Sequence, residues 1–74
     1  MKYKDPLLVE FGKRVRKERL KQGLSQEKLA EKADVHRNYI GLVERAELDP
    51  ALSYIAKIAH GLGLRTRNLL NKND

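Results

Sequence analysis

The chain contains no cysteine, which excludes a disulfide framework and any thiolate-bound metal. That fits a reducing, cytoplasmic setting. No apolar run approaches the roughly 18 residues that a membrane span requires. The opening Met1-Lys2-Tyr3-Lys4-Asp5-Pro6 also lacks the apolar stretch of a signal peptide. Isoleucine and valine are scarce, with 3 and 4 against 12 leucines. That balance favours helix over strand. No glycine-rich phosphate loop and no Ser-His-Asp arrangement is evident. His36 and His60 stand 24 residues apart with no cysteine between them, a spacing and ligand count unsuited to a metal site. Glu27 and Glu31 lie one helical turn apart, which reads as a solvated face rather than an acid–base pair. Neither catalysis, a metal nor a cofactor is therefore expected.

What is present fits one small domain spanning 1–74. The 74 residues are 41% hydrophobic, too many for a disordered tail. A fold of this size buries a modest core, so oligomerisation is a reasonable expectation. Lysine and arginine number 16 against 10 acidic residues, a net charge of +6. Such an excess suits nucleic acid, an acidic partner or an anionic membrane surface. A small soluble domain is also sometimes basic without any of these.

Five short helices can be read along the chain. Asp5-Pro6 is an N-cap followed by proline at the first helical position. Leu8, Phe11 and Val15 recur at helical spacing, predicting a helix from about Pro6 to Gln22 that Gly23 stops. Six of the nine residues from Lys13 to Lys21 are basic. Leu20 lies off the apolar stripe and needs a second contact, with a later helix or a partner. Ser25 caps a second helix, with Leu24 and Leu29 at the staple positions around it. Asp34 suits a left-handed stop. Val35 and Ile40 bracket His36 as the cap of a third helix, from about Arg37 to Arg45. Two short helices joined this tightly outline a helix-turn-helix at about 25–45. Val35, Ile40 and Val43 face inward; Arg37, Asn38, Gly41, Leu42 and Arg45 face outward. Leu52, Ile55, Ala56, Ala59 and Leu62 mark a fourth helix, and Thr66 is placed to cap a fifth carrying Leu69 and Leu70.

The pattern Phe11-Gly12-x-x-Val15-Arg16-x-x-Arg19, then Gly23-Leu24-Ser25-Gln26-x-x-Leu29-Ala30, resembles the lambda-repressor-like (Cro- and Xre-type) helix-turn-helix family. The likeness continues through Val35, Ile40, Glu44-Arg45, Pro50, Ile55 to Ala59 and Leu62. Arg37-x-Tyr39-Ile40-Gly41 makes the chain similar to the controller proteins of restriction–modification systems. The resemblance implies an all-α, compact five-helix domain. It further implies a nucleoid-associated transcriptional regulator that binds a palindromic operator in double-stranded DNA as a homodimer. Arg37 and Asn38 would read base edges, since arginine grips guanine and asparagine grips adenine with paired hydrogen bonds. Leu42 would touch a thymine methyl. Ser25, Gln26, Tyr39 and Arg45 would meet phosphates, the first two at a helix N-terminus that favours anions. Arg19 and Glu44 would form a mostly buried structural ion pair. Leu64, Leu69 and Leu70 would form the dimer interface, or Leu69 and Leu70 would instead close the core over the first helix. Gly41 would serve either close approach of DNA or tight helix packing. A membrane is not expected as a partner; a toxin protein, as for an antitoxin, and RNA polymerase are the further candidates.

Three positions depart from the family pattern. His36 replaces a better capping residue. Leu48-Asp49 stands where Arg-Asn is common, which removes a phosphate contact and adds a negative charge. Ala51 stands where serine commonly caps the fourth helix. The net charge is also unevenly spread. Residues 1–24 carry +5 (8 basic, 3 acidic), residues 25–50 carry −2 (4 basic, 6 acidic) and residues 51–74 carry +3 (4 basic, 1 acidic). The segment expected to read DNA is the mildly acidic one.

Overall fold

The computed structural model describes residues 4–70. Five helices follow one another: α1 (Pro6–Lys21), α2 (Gln26–Ala33), α3 (Arg37–Glu44), α4 (Leu52–Gly61) and α5 (Thr66–Leu70). Their ends follow from local chemistry. The Asp5 side chain accepts from the Leu7 N–H at 2.8 Å, with Pro6 opening α1. Ser25 Oγ accepts from the Lys28 N–H at 3.0 Å and starts α2. His36 Nδ1 accepts from the Asn38 N–H at 3.1 Å and starts α3. Thr66 is itself the first residue of α5 rather than its cap.

The first four helices close in the same way. A residue with positive φ follows the helix, and the next N–H reaches back to a carbonyl of the last turn: Leu24 to Arg19, Val35 to Ala30, Glu47 to Leu42 and Leu64 to Ala59. This is the Schellman arrangement, which glycine favours because it lacks a Cβ. Gly23 and Gly63 fill two of these places; Asp34 and Ala46 fill the others, at φ 59° and 58°. At Ala46 the left-handed backbone costs roughly 1–2 kcal/mol for a residue with a Cβ.

The core is apolar and shared by every helix. Phe11 and Val15 of α1, Leu29 and Ala30 of α2, Ile40 and Val43 of α3, Ile58 and Ala59 of α4, and Leu69 of α5 form one buried cluster, joined by Leu62. Burying a leucine or isoleucine contributes roughly 1.5–3 kcal/mol each. Leu24 and Val35 pack on this cluster from the positions flanking the second and third helix starts.

Two close backbone approaches set the helix positions. A Cβ on Gly12 would lie 2.5 Å from the Val43 carbonyl and 2.8 Å from that of Glu44, so α1 meets α3 backbone to backbone. A Cβ on Gly61 would lie 2.9 Å from the Ala33 nitrogen, so α4 sits equally close on α2.

The structure corrects two expectations about apolar faces. On α4 the buried side carries Ile58, Ala59 and, partly, Ile55, while Leu52 is 68% exposed and Ala56 is exposed. The rotation that brings Gly61 against Ala33 turns Leu52 and Ala56 outward. Leu69 is fully enclosed in the core, so it cannot meet a partner. Leu64 is half-buried against the same cluster, leaving Leu70 as the exposed member of the three expected interface leucines. Leu20 stays exposed beside Lys13, Arg16 and Lys17. No helix among the described residues is long and apolar enough to cross a membrane.

Candidate nucleic-acid interface

The N-terminal ends of α2 and α3 open on the same side of the molecule. Gln26, Arg37, Asn38, Gly41, Leu42 and Arg45 line one concavity of about 320 Å³. Five of these are the residues expected on the outward face of α3, brought together by the i, i+4 geometry of one helix. Gln26 arrives from α2 because the turn between the helices is short. Arg37, Asn38 and Arg45 are exposed, and Leu42 is half-buried.

The floor of this concavity is set by Gly41. A Cβ there would lie 2.9 Å from the Arg45 guanidinium and 3.4 Å from Gln26 Oε1. Glycine thus leaves room for these two side chains to lie across α3, rather than for another helix backbone to approach.

Beneath it lies a network centred on Glu44. Arg19 donates to Glu44 from Nε at 2.6 Å and from Nη2 at 3.0 Å, a two-pronged arrangement. Arg19 also donates to the Leu24 carbonyl at 2.8 Å. Gln26 donates from Nε2 to Glu44 Oε1 at 3.1 Å. The expected pair between α1 and α3 therefore also holds the start of α2. The hydrogen bond to Glu44 raises the Arg19 guanidinium above its ordinary pKa, against the opposing effect of burial. Because a carboxylate only accepts, the Gln26 amide must turn its NH₂ inward and its carbonyl oxygen away.

Each arginine of the outer face also has a carboxylate beside it. Arg37 Nη1 lies 3.5 Å from Glu27 Oε2, and Arg45 Nε lies 3.2 Å from Glu47 Oε1. The carbonyl of Arg45 accepts from Lys4 Nζ at 2.6 Å, which anchors the end of α3. Ser25 is exposed at the start of α2, with its hydroxyl engaged as the cap.

Tyr39 is not among the residues that line the concavity. Its ring packs against Tyr54 of α4 with centroids 4.7 Å apart. Burial pushes the Tyr39 hydroxyl above its ordinary pKa. Tyr39, which is partly exposed, also braces α3 against the start of α4, the helix end that lacks a side-chain cap.

A helix-turn-helix profile matches residues 15–69, most of the chain. The chain belongs to the helix-turn-helix family. It is similar to control protein C.BamHI of Bacillus amyloliquefaciens, 45% identical over 62 residues that cover 82% of this chain and 76% of that protein. It is 33% identical to the transcriptional regulator SinR of Bacillus licheniformis, over 86% of this chain and 59% of SinR. Among solved structures, the restriction–modification controller protein C.AhdI of Aeromonas hydrophila superposes with a TM-score of 0.81 and 44% identity, covering 84% of this chain and 94% of that one. These findings bear out the five-helix fold and the resemblance to controller proteins, and a DNA-binding transcriptional regulator is the function they support.

Within this helix-turn-helix, sequence reasoning missed the Gln26–Glu44 bond, the Lys4 anchor and the two carboxylates beside Arg37 and Arg45. Glu27 and Glu47 carry no sequence signal beyond being acidic near a basic residue. Glu44 had one, through its expected pairing with Arg19.

Proposed function

We propose that the chain binds a palindromic operator as a homodimer and regulates transcription in the manner of its controller-protein relatives. The observation that carries this reading is the shared concavity of Gln26, Arg37, Asn38, Leu42 and Arg45 at the open side of α3. Arg37 and Asn38 sit at the N-terminal end of α3, the part of a recognition helix that reaches base edges in the major groove. Leu42 follows one turn later, suited to a thymine methyl. Ser25 and Gln26 at the start of α2, with Tyr39 and Arg45, take phosphate. The Gln26 side chain, anchored by Glu44, leaves that role to its backbone N–H and its neighbours.

A second copy of the chain accounts for the apolar surface left uncovered. Leu7 and Leu52 are 76% and 68% exposed, and Leu70 is 47% exposed. Leu7, Leu8, Phe11, Ile55 and Leu70 line a groove of about 290 Å³ beside Arg14. Leu7 and Leu70 are thus exposed leucines on the wall of an apolar groove, which marks an interaction surface. A dimer formed there would bind two half-sites roughly one helical turn apart, about 34 Å.

The test is binding to the DNA upstream of the chain's own gene, with random duplex as control, across a salt series. Tighter binding to the upstream duplex at every salt concentration is expected. The slope against salt then counts the phosphates engaged. Equal affinity for both duplexes rejects sequence-specific recognition. Sedimentation equilibrium is expected to give a dimer at micromolar concentration, and Leu70→Glu a monomer; a monomer throughout rejects the interface.

A further inference from the structure

We propose that Glu27 is a positioning residue that sets how selectively Arg37 reads DNA; this rests on the base-reading role of Arg37 proposed above. The helix-turn-helix segment is mildly acidic, and the structure shows where those carboxylates lie. Two of them hold the two arginines of the reading face, Glu27 against Arg37 and Glu47 against Arg45. In the free protein the face is therefore neutralised from within.

The two pairs differ in place. Arg37 lines the concavity and Glu27 does not, so Glu27 holds the guanidinium from the rim, on the α2 side. Glu27 belongs to the first turn of α2, where the helix end favours a carboxylate. Both side chains are more than half exposed. An exposed pair of this kind shifts an equilibrium by at most about five-fold. It is weak enough to be exchanged and strong enough to bias a choice.

The bias has a direction. Guanine offers two acceptors that match the fork of an arginine, and no other base edge in the major groove does. When Arg37 forks guanine with its other N–H groups, Nη1 stays beside Glu27. When the base is different, Arg37 reaches a phosphate only by giving up Glu27, so this non-specific gain is smaller than it would be without Glu27. Without the carboxylate, the guanidinium is free to swing to any nearby phosphate, which rewards every sequence alike. Arg45 provides the contrast. Its role is at phosphate, so releasing it from Glu47 strengthens binding without favouring any base.

The experiment uses the full chain and two probes: a duplex enriched by the wild-type protein from a randomised pool, and a scrambled duplex of the same composition. Affinities are measured for wild type, Glu27→Gln, Arg37→Ala, the double variant and Glu47→Gln. Thermal midpoints serve as a folding check, since all three side chains are exposed. Glu27→Gln is expected to cut the ratio of the two affinities by about five-fold at low salt, mainly by tightening binding to the scrambled duplex. Adding Glu27→Gln to Arg37→Ala is expected to leave the ratio unchanged. Glu47→Gln is expected to strengthen both probes equally. An unchanged ratio for Glu27→Gln, with both probes tightened equally, would mean simple repulsion of DNA and overturns the proposal, as does the same loss of ratio in the Arg37→Ala background, which would mean that Glu27 acts without Arg37. If no duplex is enriched, or if Arg37→Ala weakens both probes equally, base reading by Arg37 is itself overturned, and the role of Glu27 with it.

Discussion

The two ends of α3 use the same chemistry to opposite effect. At the C-terminal end, Glu44 meets Arg19 at 2.6 Å in a pair whose side chains are 9% and 3% exposed. At the N-terminal end, Arg37 meets Glu27 at 3.5 Å in a pair whose side chains are 66% and 74% exposed. Burial makes the first pair a fixed part of the fold, because neither charge can return to water when its partner is lost. Solvent makes the second exchangeable, because water replaces either partner at little cost. One short helix is thus locked at one end and available at the other.

The largest expected effect tests the locked end. Glu44→Ala strands the Arg19 charge and removes the anchor of Gln26, and is expected to cost about 3–5 kcal/mol in urea denaturation. Glu27→Ala is expected to change stability by less than about 0.5 kcal/mol. Equal losses for the two would erase the contrast between the ends. Next comes the contact that brings Glu44 within reach. Gly12→Ala drives a Cβ into the Val43 and Glu44 carbonyls, and is expected to cost about 1–3 kcal/mol by the same measurement. At the available end, Arg37→Ala is expected to lose about 1–3 kcal/mol on an enriched duplex and to relax preference at one base position. Selection of a sequence pool with the variant would reveal the relaxed position. The smallest effect concerns the cap of the available end. His36→Ser puts a better capping group where imidazole now accepts from the Asn38 N–H, and is expected to raise the thermal midpoint by the equivalent of less than about 1 kcal/mol. A drop in midpoint would show that the imidazole contributes more than its capping bond.

The parts of the fold readable from sequence are those decided within a few residues. Asp5-Pro6, Gly23, Ser25 and Asp34 each mark a helix end because the capping chemistry is local. The outward face of α3 was readable because one helix fixes the relative positions of Arg37, Asn38, Leu42 and Arg45. Its alignment with Gln26 came from the family resemblance. What the sequence did not reveal depends on packing between distant segments. Leu69 and Leu70 are adjacent and chemically identical, and only the seating of α5 on α1 puts the first inside and the second outside. Leu52 and Ala56 fit a helical stripe as well as Ile58 does, until Gly61 meets Ala33 and fixes the rotation of α4. Tyr39 meets Tyr54 of another helix, and a contact of that kind leaves no local mark in the sequence. The Arg37–Glu27 pair joins residues on two helices through flexible side chains, which leave no periodic trace.

The glycine contacts on either side of the helix-turn-helix also govern how it moves. Gly12 holds α3 from one side and Gly61 holds α2 from the other, each through backbone rather than through side chains that can change rotamer. No soft layer is left at these contacts to absorb a local tilt, so neither helix can separate without dismantling the shared core. The amide hydrogens of Ile40 and Val43 should accordingly exchange with solvent only when the whole domain unfolds, at a free energy equal to its global stability.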